Sequence, residues 1–269
     1  MIREAGVFVL GAACALAVAS CSSVALTGRK QLNLIPDSEL MSASTQQYDA
    51  FLKENKLSTD AQQADVVKKV GARIQAAVER YAQQEKRTKD LQGYAWEFNL
   101  VESDQVNAWC MPGGKVVFYS GIMPVCKDET GVAVVMGHEV AHAVAKHGAE
   151  RMSQGLVLQM GGAALGAALT KQPKETQALW MGAFGAGAEY GVMLPFGRGQ
   201  ESEADHLGLI FMAMAGYDPN QAVSFWQRMS QASGGEKPPE FMSTHPSDET
   251  RIRKIQERLP EAMKYYKTP

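Results

Sequence analysis

The sequence predicts an α+β fold: a mainly helical domain with a small antiparallel β-sheet packed against a helical bundle. Three observations carry this. Over 60–84 the apolar residues Val66, Val67, Val70, Ile74, Ala77, Val78 and Tyr81 recur at helical spacing. Between Tyr94 and Val101 the period shortens to two, with Tyr94, Trp96, Phe98 and Leu100 on one face, as in a half-buried strand. After Asp128 the pattern is almost wholly helical. The 269 residues are 45% hydrophobic and 21% charged, an ordinary globular composition. A formal charge of −2 gives no basic footprint, so nucleic acid is not an expected partner.

In chain order, Arg3 precedes an apolar stretch from Val7 to Val18, too short for a permanent membrane anchor. It ends in Val18-Ala19-Ser20-Cys21, which resembles a bacterial lipobox. Residues 1–20 are therefore expected to be a signal peptide removed before a lipidated Cys21, an uncleaved signal anchor being the alternative. Residues 21–36 read as a tether and 37–269 as a single domain. Helices are expected over 37–55, with Leu40, Tyr48, Phe51 and Leu52 inward, and over 60–84. A charged loop covers Gln84–Asp90, and a second β segment, Lys115–Ser120, is entered through Pro112-Gly113-Gly114. The Gly- and Ala-rich runs 153–170 and 181–191 are expected to be soluble helices joined by a turn, or else a membrane hairpin. Leu194–Gly199 is flexible by composition and suits a lid or an interhelical loop. Cys110 and Cys126 either form a disulfide or are small buried hydrophobes.

Chemistry concentrates at His138-Glu139-Val140-Ala141-His142, inside an apolar run that Asp128 can cap. On a helix, positions i and i+4 share a face, so both imidazoles reach one metal ion. Glu139, one step round, stands where a general base for the attacking water belongs. A catalytic zinc site needs a third protein ligand. Glu201 in Glu201-Ser202-Glu203-Ala204-Asp205 is the candidate, with Asp205 one turn on to accept a hydrogen bond from a ligand imidazole. Taken separately, the histidines could be held by ordinary hydrogen bonds and the acidic pair could be surface. Glu203 reads as a solvated charge, and His147 and His206 as structural or exposed. His245 and Arg251, in a C-terminal segment able to fold back, are candidate oxyanion stabilisers.

Several segments resemble the HtpX and CAAX-prenyl-protease superfamily of zinc metallopeptidases, nearest to its periplasmic lipoprotein members of the LoiP and BepA type. They are Thr27-Gly28-Arg29-Lys30-Gln31-Leu32, Asn107-Ala108-Trp109, Pro112-Gly113-Gly114, Gly137–His142, Glu201–Asp205, Ala215–Pro219 and Ser243-Thr244-His245-Pro246. The chain ends soon after Pro260, so a protease-only organisation is expected. The resemblance implies a compact gluzincin core holding one Zn²⁺ per chain on His138, His142 and Glu201. It implies a zinc-dependent endopeptidase of the bacterial cell envelope that hydrolyses unfolded or misassembled proteins. Extended substrates would add to an edge strand at Gly113, Gly114, Val116 and Val117, a plain internal strand being the alternative. His245 would be able to approach the zinc as a fourth ligand and hold the enzyme latent, with Gln231–Phe241 flexible enough to let it move. By resemblance to lipoprotein sorting, Ser22 points to the outer membrane, facing the periplasm. Partners would be the membrane through Cys21, and outer-membrane assembly factors or other proteases. The alternative is a latent zinc-containing chaperone-like or binding lipoprotein with little turnover.

Overall fold

The computed structural model describes residues 21–24, 27–232, 240–246 and 249–267. The signal peptide expected at 1–20 and most of the flexible segment expected before Phe241 lie outside the described residues. The chain begins with β1 (Cys21–Ser23), paired antiparallel with β2 (Lys30–Leu32), so part of the expected tether is a two-stranded ribbon. Gly28, at φ +71°, allows the tight reversal between the two strands.

Next come α1 (Asp37–Glu54) and α2 (Ala61–Gln84). Asp60 caps α2 by accepting a 3.0 Å hydrogen bond from the Gln63 N–H. Val67, Val70, Ile74, Ala77 and Val78 are fully buried, so this helix turns inward the stripe that its periodicity predicts. Three strands follow: β3 (Glu97–Val101), β4 (Ala108–Met111) and β5 (Lys115–Tyr119). Their spatial order is β3-β5-β4, with β5 parallel to β3 and antiparallel to β4. The sheet is therefore mixed rather than antiparallel, because the β4–β5 hairpin inserts its second strand beside β3. Val116, Val117 and Phe118 are fully buried, as a strand covered on both faces requires.

This order corrects the expected substrate strand. Val116 and Val117 pair on both sides, while Gly113 and Gly114 form the left-handed turn of the hairpin at φ +86° and +83°. None of the four offers a free edge. The outer strand on that side is β4. It is short and only partly buried, and no alternation marks it in the sequence.

The helical layer comprises α3 (Met123–Cys126), α4 (Glu129–Val144), α5 (His147–Leu169), α6 (Lys174–Ala188), α7 (Leu194–Met214), α8 (Gln221–Ala232), α9 (Glu240–Thr244) and α10 (Glu249–Ala262). Residues 194–199, expected to be a loop, form the first turns of α7. α7 follows the π-helical turn Glu189–Met193 without a break, since Met193 and Leu194 both keep helical φ and ψ. α4 is buried from Gly131 to its end and runs through the centre of the core. It meets α7 backbone to backbone at Gly137 and Gly208. A Cβ on Gly208 would lie 2.9 Å from the His138 nitrogen, and one on Gly137 would lie 2.8 Å from the Gly208 carbonyl oxygen.

α5 and α6 form a hairpin that leaves Met160, Leu179 and Trp180 exposed. Among the described residues no helix is long and apolar enough to cross a membrane. Cys110 and Cys126 are free thiols, so the disulfide alternative falls.

Candidate metal centre

The contact between α4 and α7 determines what their side chains can reach. His138 and His142 project from α4 towards Glu201 and Asp205 on α7, and α9 ends by delivering His245 to the same point. Four potential ligand atoms converge. His138 Nε2 lies 3.1 Å from His142 Nε2 and 3.0 Å from His245 Nδ1. Glu201 places carboxylate oxygens 3.2 Å from His142 Nε2, 3.4 Å from His138 Nε2 and 3.1 Å from His245 Nδ1. Donors about 2.0–2.1 Å from a tetrahedral zinc are separated from one another by about 3.3–3.4 Å. The observed separations are close to that. Three imidazole nitrogens and a carboxylate are also the donor types zinc prefers, so the residues fit the ion.

The supporting contacts fix how these groups point. His138 turns its Nδ1 to Asp205 at 3.0 Å. Burial disfavours its charge, but the bonds to Asp205 and Glu201 prevail and push its pKa up to about 9. A bound metal would take the place of the proton on the Nε2 that faces the cluster. Burial opposes ionisation of Glu201, but the hydrogen bonds from His138, His142 and His245 prevail and hold it below the usual carboxylate range. Burial pushes His142 down, towards the neutral form a metal ligand needs. Glu139 is buried, and burial raises its carboxyl above the ordinary range. Its Oε1 has no hydrogen-bond partner among the described residues, and His245 Nε2 stands 3.5 Å away. A buried acceptor left unpaired beside a ligand cluster is poised to take a proton.

Arg251 is corrected. Its Nε and Nη2 each bond Asp205 at 2.8 Å, and Nη1 bonds the carbonyl oxygens of His245 and Pro246 at 3.1 and 3.0 Å. The guanidinium lies 3.6 Å over the Trp226 ring. Its Nη1 also stands 3.2 Å from the Glu201 carboxylate, and a cation so committed is not available to an oxyanion. It braces Asp205 and the His245 backbone, and so holds α9 and α10 onto the site.

One further expectation fails, and His147 takes the structural one of its two expected roles. Glu203 is a buried acceptor for His147 Nε2 at 3.0 Å and for Arg29 Nε at 2.7 Å, not a solvated charge. His147 is fully buried, with its Nδ1 2.8 Å from His142 Nδ1. The helix breaks at Lys146, where φ is +58°, and the reversal swings His147 back beneath His142. Its five-residue spacing from His142 places His147 off the ligand face, and it is not among the converging ligands; the left-handed lysine that tucks it beneath His142 has no sequence signal. His206 pairs with Glu261 at 3.0 Å, away from the ligands.

Gly208→Ala is expected to be among the most damaging single-methyl changes in this chain. The added Cβ meets His138 backbone with no flexible side chain to yield, and α7 must move. Thermal unfolding and metal analysis should show a lower Tm and reduced metal content together. Unchanged values for both would mean that the helices tolerate separation.

A buried His-Glu-x-x-His helix with a glutamate from a second helix defines a gluzincin-type metallopeptidase centre. Residues 68–259 match the family described as Peptidase family M48, and the chain belongs to that family, which comprises the metallopeptidases of HtpX and CAAX-protease type. The mitochondrial metalloendopeptidase OMA1 of Schizosaccharomyces pombe is 41% identical over 168 residues, covering 62% of this chain and 48% of that protein. The human metalloendopeptidase OMA1, mitochondrial, is 30% identical over 249 residues, 89% of this chain and 46% of that protein. The beta-barrel assembly-enhancing protease of Escherichia coli is 32% identical over 169 residues, 61% of this chain and 34% of that protein. The chain thus spans about half or less of each of these relatives. The expected bacterial outer-membrane address is overturned by this comparison, since the fission yeast, budding yeast, plant and human relatives are all mitochondrial by name.

Proposed function

We propose that this chain is a zinc-dependent endopeptidase that cleaves unfolded or misassembled proteins at a membrane, in a quality-control role. The observation that carries this is the buried Glu139 carboxylate, whose Oε1 has no hydrogen-bond partner among the described residues, beside the convergent His138, His142, Glu201 and His245. A purely structural metal site has no use for such a base. Membership of a peptidase family and likeness to metalloendopeptidases support the activity, and the likeness to a beta-barrel assembly-enhancing protease supports quality control.

His138, His142 and Glu201 would hold the ion. When bound, zinc supplies Lewis acidity that polarises a carbonyl and acidifies water. Glu139 takes the proton of the attacking water and returns it to the leaving nitrogen. Asp205, braced by Arg251, keeps His138 in the ligating tautomer. His245 Nδ1 is the fourth converging donor and its Nε2 faces Glu139, so it would hold the ion together with the other three and keep water from the base. The conformation is therefore a latent one, and cleavage requires His245 to withdraw.

Substrate binding follows from the sheet. Tyr119 N–H donates to the Asn107 carbonyl, making these directly opposed residues a hydrogen-bonded pair, and Trp109 and Met111 fall in the same phase. The Cys110 N–H and C=O therefore face outward, and an extended polypeptide would pair there. β4 packs directly against α4, the helix that carries Glu139. A cavity of ≈ 440 Å³, lined by Glu201, Asp205, Thr244, Arg251 and Leu194, offers room for a substrate side chain next to the ligands.

The test is incubation of the purified protein with an unfolded polypeptide, with and without a chelator. Chelator-sensitive cleavage supports the proposal; cleavage indifferent to chelator removes it. We further propose attachment to the membrane through lipid on Cys21. Cys21→Ser is expected to abolish fatty-acid labelling, and a labelled Cys21→Ser protein would move the anchor elsewhere.

A further inference from the structure

The contacts of His142 continue away from the ligand cluster, and each bond dictates the next. Glu203 accepts from Arg29 Nε at 2.7 Å and from the Thr27 hydroxyl, so it is ionised and can only accept. His147 Nε2, 3.0 Å from that carboxylate, must carry a proton. In a neutral ring His147 Nδ1 is then an acceptor, and His142 Nδ1, 2.8 Å away, must donate to it. His142 Nε2 is thereby left as a lone pair aimed at Glu201 and His138. The outer end is built as firmly. Arg29 Nη1 and Nη2 bond both oxygens of buried Glu150, at 2.8 and 2.7 Å, and Gln200 Nε2 donates to the same carboxylate at 2.8 Å. Thr27 and Arg29 belong to the β1–β2 ribbon, far in sequence from every ligand.

We propose that the N-terminal ribbon is part of the metal centre, with Arg29, Glu203 and His147 acting as positioning residues that fix the tautomer and orientation of His142. Docking of residues 27–29 then sets how tightly the metal is held, and undocking loosens it. The idea rests on the zinc-site proposal but assigns three residues outside the ligand set. Arg29 suits the role because its side chain keeps 30% exposure while bridging two buried carboxylates. Unlike buried Glu203 and His147, it can be reached by solvent, and a movement of the ribbon would withdraw it together with exposed Thr27.

The experiment measures zinc affinity of the full chain by competition with a chromogenic chelator, with folding checked by circular dichroism. His147→Leu should lower affinity by about 10–100-fold, the usual range for losing a partner of a ligand imidazole. His147→Gln should recover most of the loss, because its Oε1 can accept from His142 Nδ1 where leucine cannot. Arg29→Gln, at a partly exposed position, should lose about three- to tenfold and decides the matter if His147→Leu does not fold. Wild-type affinity in Arg29→Gln, or equal loss in His147→Leu and His147→Gln, would overturn the relay while leaving the zinc site intact. A wild-type chain that binds no zinc would overturn both.

Discussion

Glu139→Gln is expected to keep its zinc and lose peptide hydrolysis by about 10²–10⁴-fold, the range for removing a positioned general base. The amide is nearly isosteric, so the packing around Glu139 is preserved, and Glu139 is not among the converging ligand atoms. Metal content should therefore equal that of the wild type, while the initial rate on an unfolded substrate collapses. Retained activity would mean that another group moves the proton. The wild type should also show an acid limb. Burial raises the Glu139 carboxyl, with His245 and His138 opposing the shift, and the base works only when ionised. The rate should accordingly rise with pH through a value above the ordinary carboxylate range and fall away below it. In Glu139→Gln that limb should be missing from whatever rate remains.

What the sequence discloses about such a site depends on how local the geometry is. His138 and His142 share a helix face by spacing alone, and Asp128 marks where that helix begins; its Oδ1 accepts from the Gly131 N–H at 2.9 Å. The stripe from Val67 to Val78 identifies α2 for the same reason. Pairing Glu201 with that helix needed two motifs sixty-odd residues apart, and what joins them is the Gly137–Gly208 approach, a tertiary fact. Strand order was hidden because apolar content and turn glycines locate β5 but do not say which neighbours it acquires. Glu203 looked solvated because its partners, Arg29 and His147, come from other elements. Arg251 looked like an oxyanion donor for the converse reason: a lone arginine in a sequence does not reveal that Asp205 already holds it.

His245→Ala is expected to raise proteolysis rather than abolish it. Two roles are open to a histidine near this centre, and they have opposite signs. Stabilising an oxyanion, it would contribute about 3 kcal/mol at the transition state, and its loss would slow the reaction by about a hundredfold. Occupying the fourth corner, it excludes the attacking water, and its loss frees the site. The distances favour the second. His245 Nδ1 is 3.0 Å from His138 Nε2 and 3.1 Å from the Glu201 carboxylate, inside the ligand set rather than beyond it, and the tilted stack on Phe241 at 4.8 Å supports the ring there. If the closed form is favoured by about 1.4 kcal/mol, only about a tenth of molecules are open, and removing the imidazole should raise the rate about tenfold. The measurement is the initial rate on one unfolded substrate for wild type and His245→Ala at equal zinc occupancy, with self-cleavage followed on the same samples. A hundredfold drop would assign His245 to the transition state, and an unchanged rate would remove it from both roles. Arg251→Ala provides the internal check. It leaves the imidazole in place but deletes the bonds to the His245 and Pro246 carbonyls, so latency should weaken in the same direction when compared at equal zinc occupancy, at some cost in stability and metal affinity from the unbraced Asp205 and Glu201.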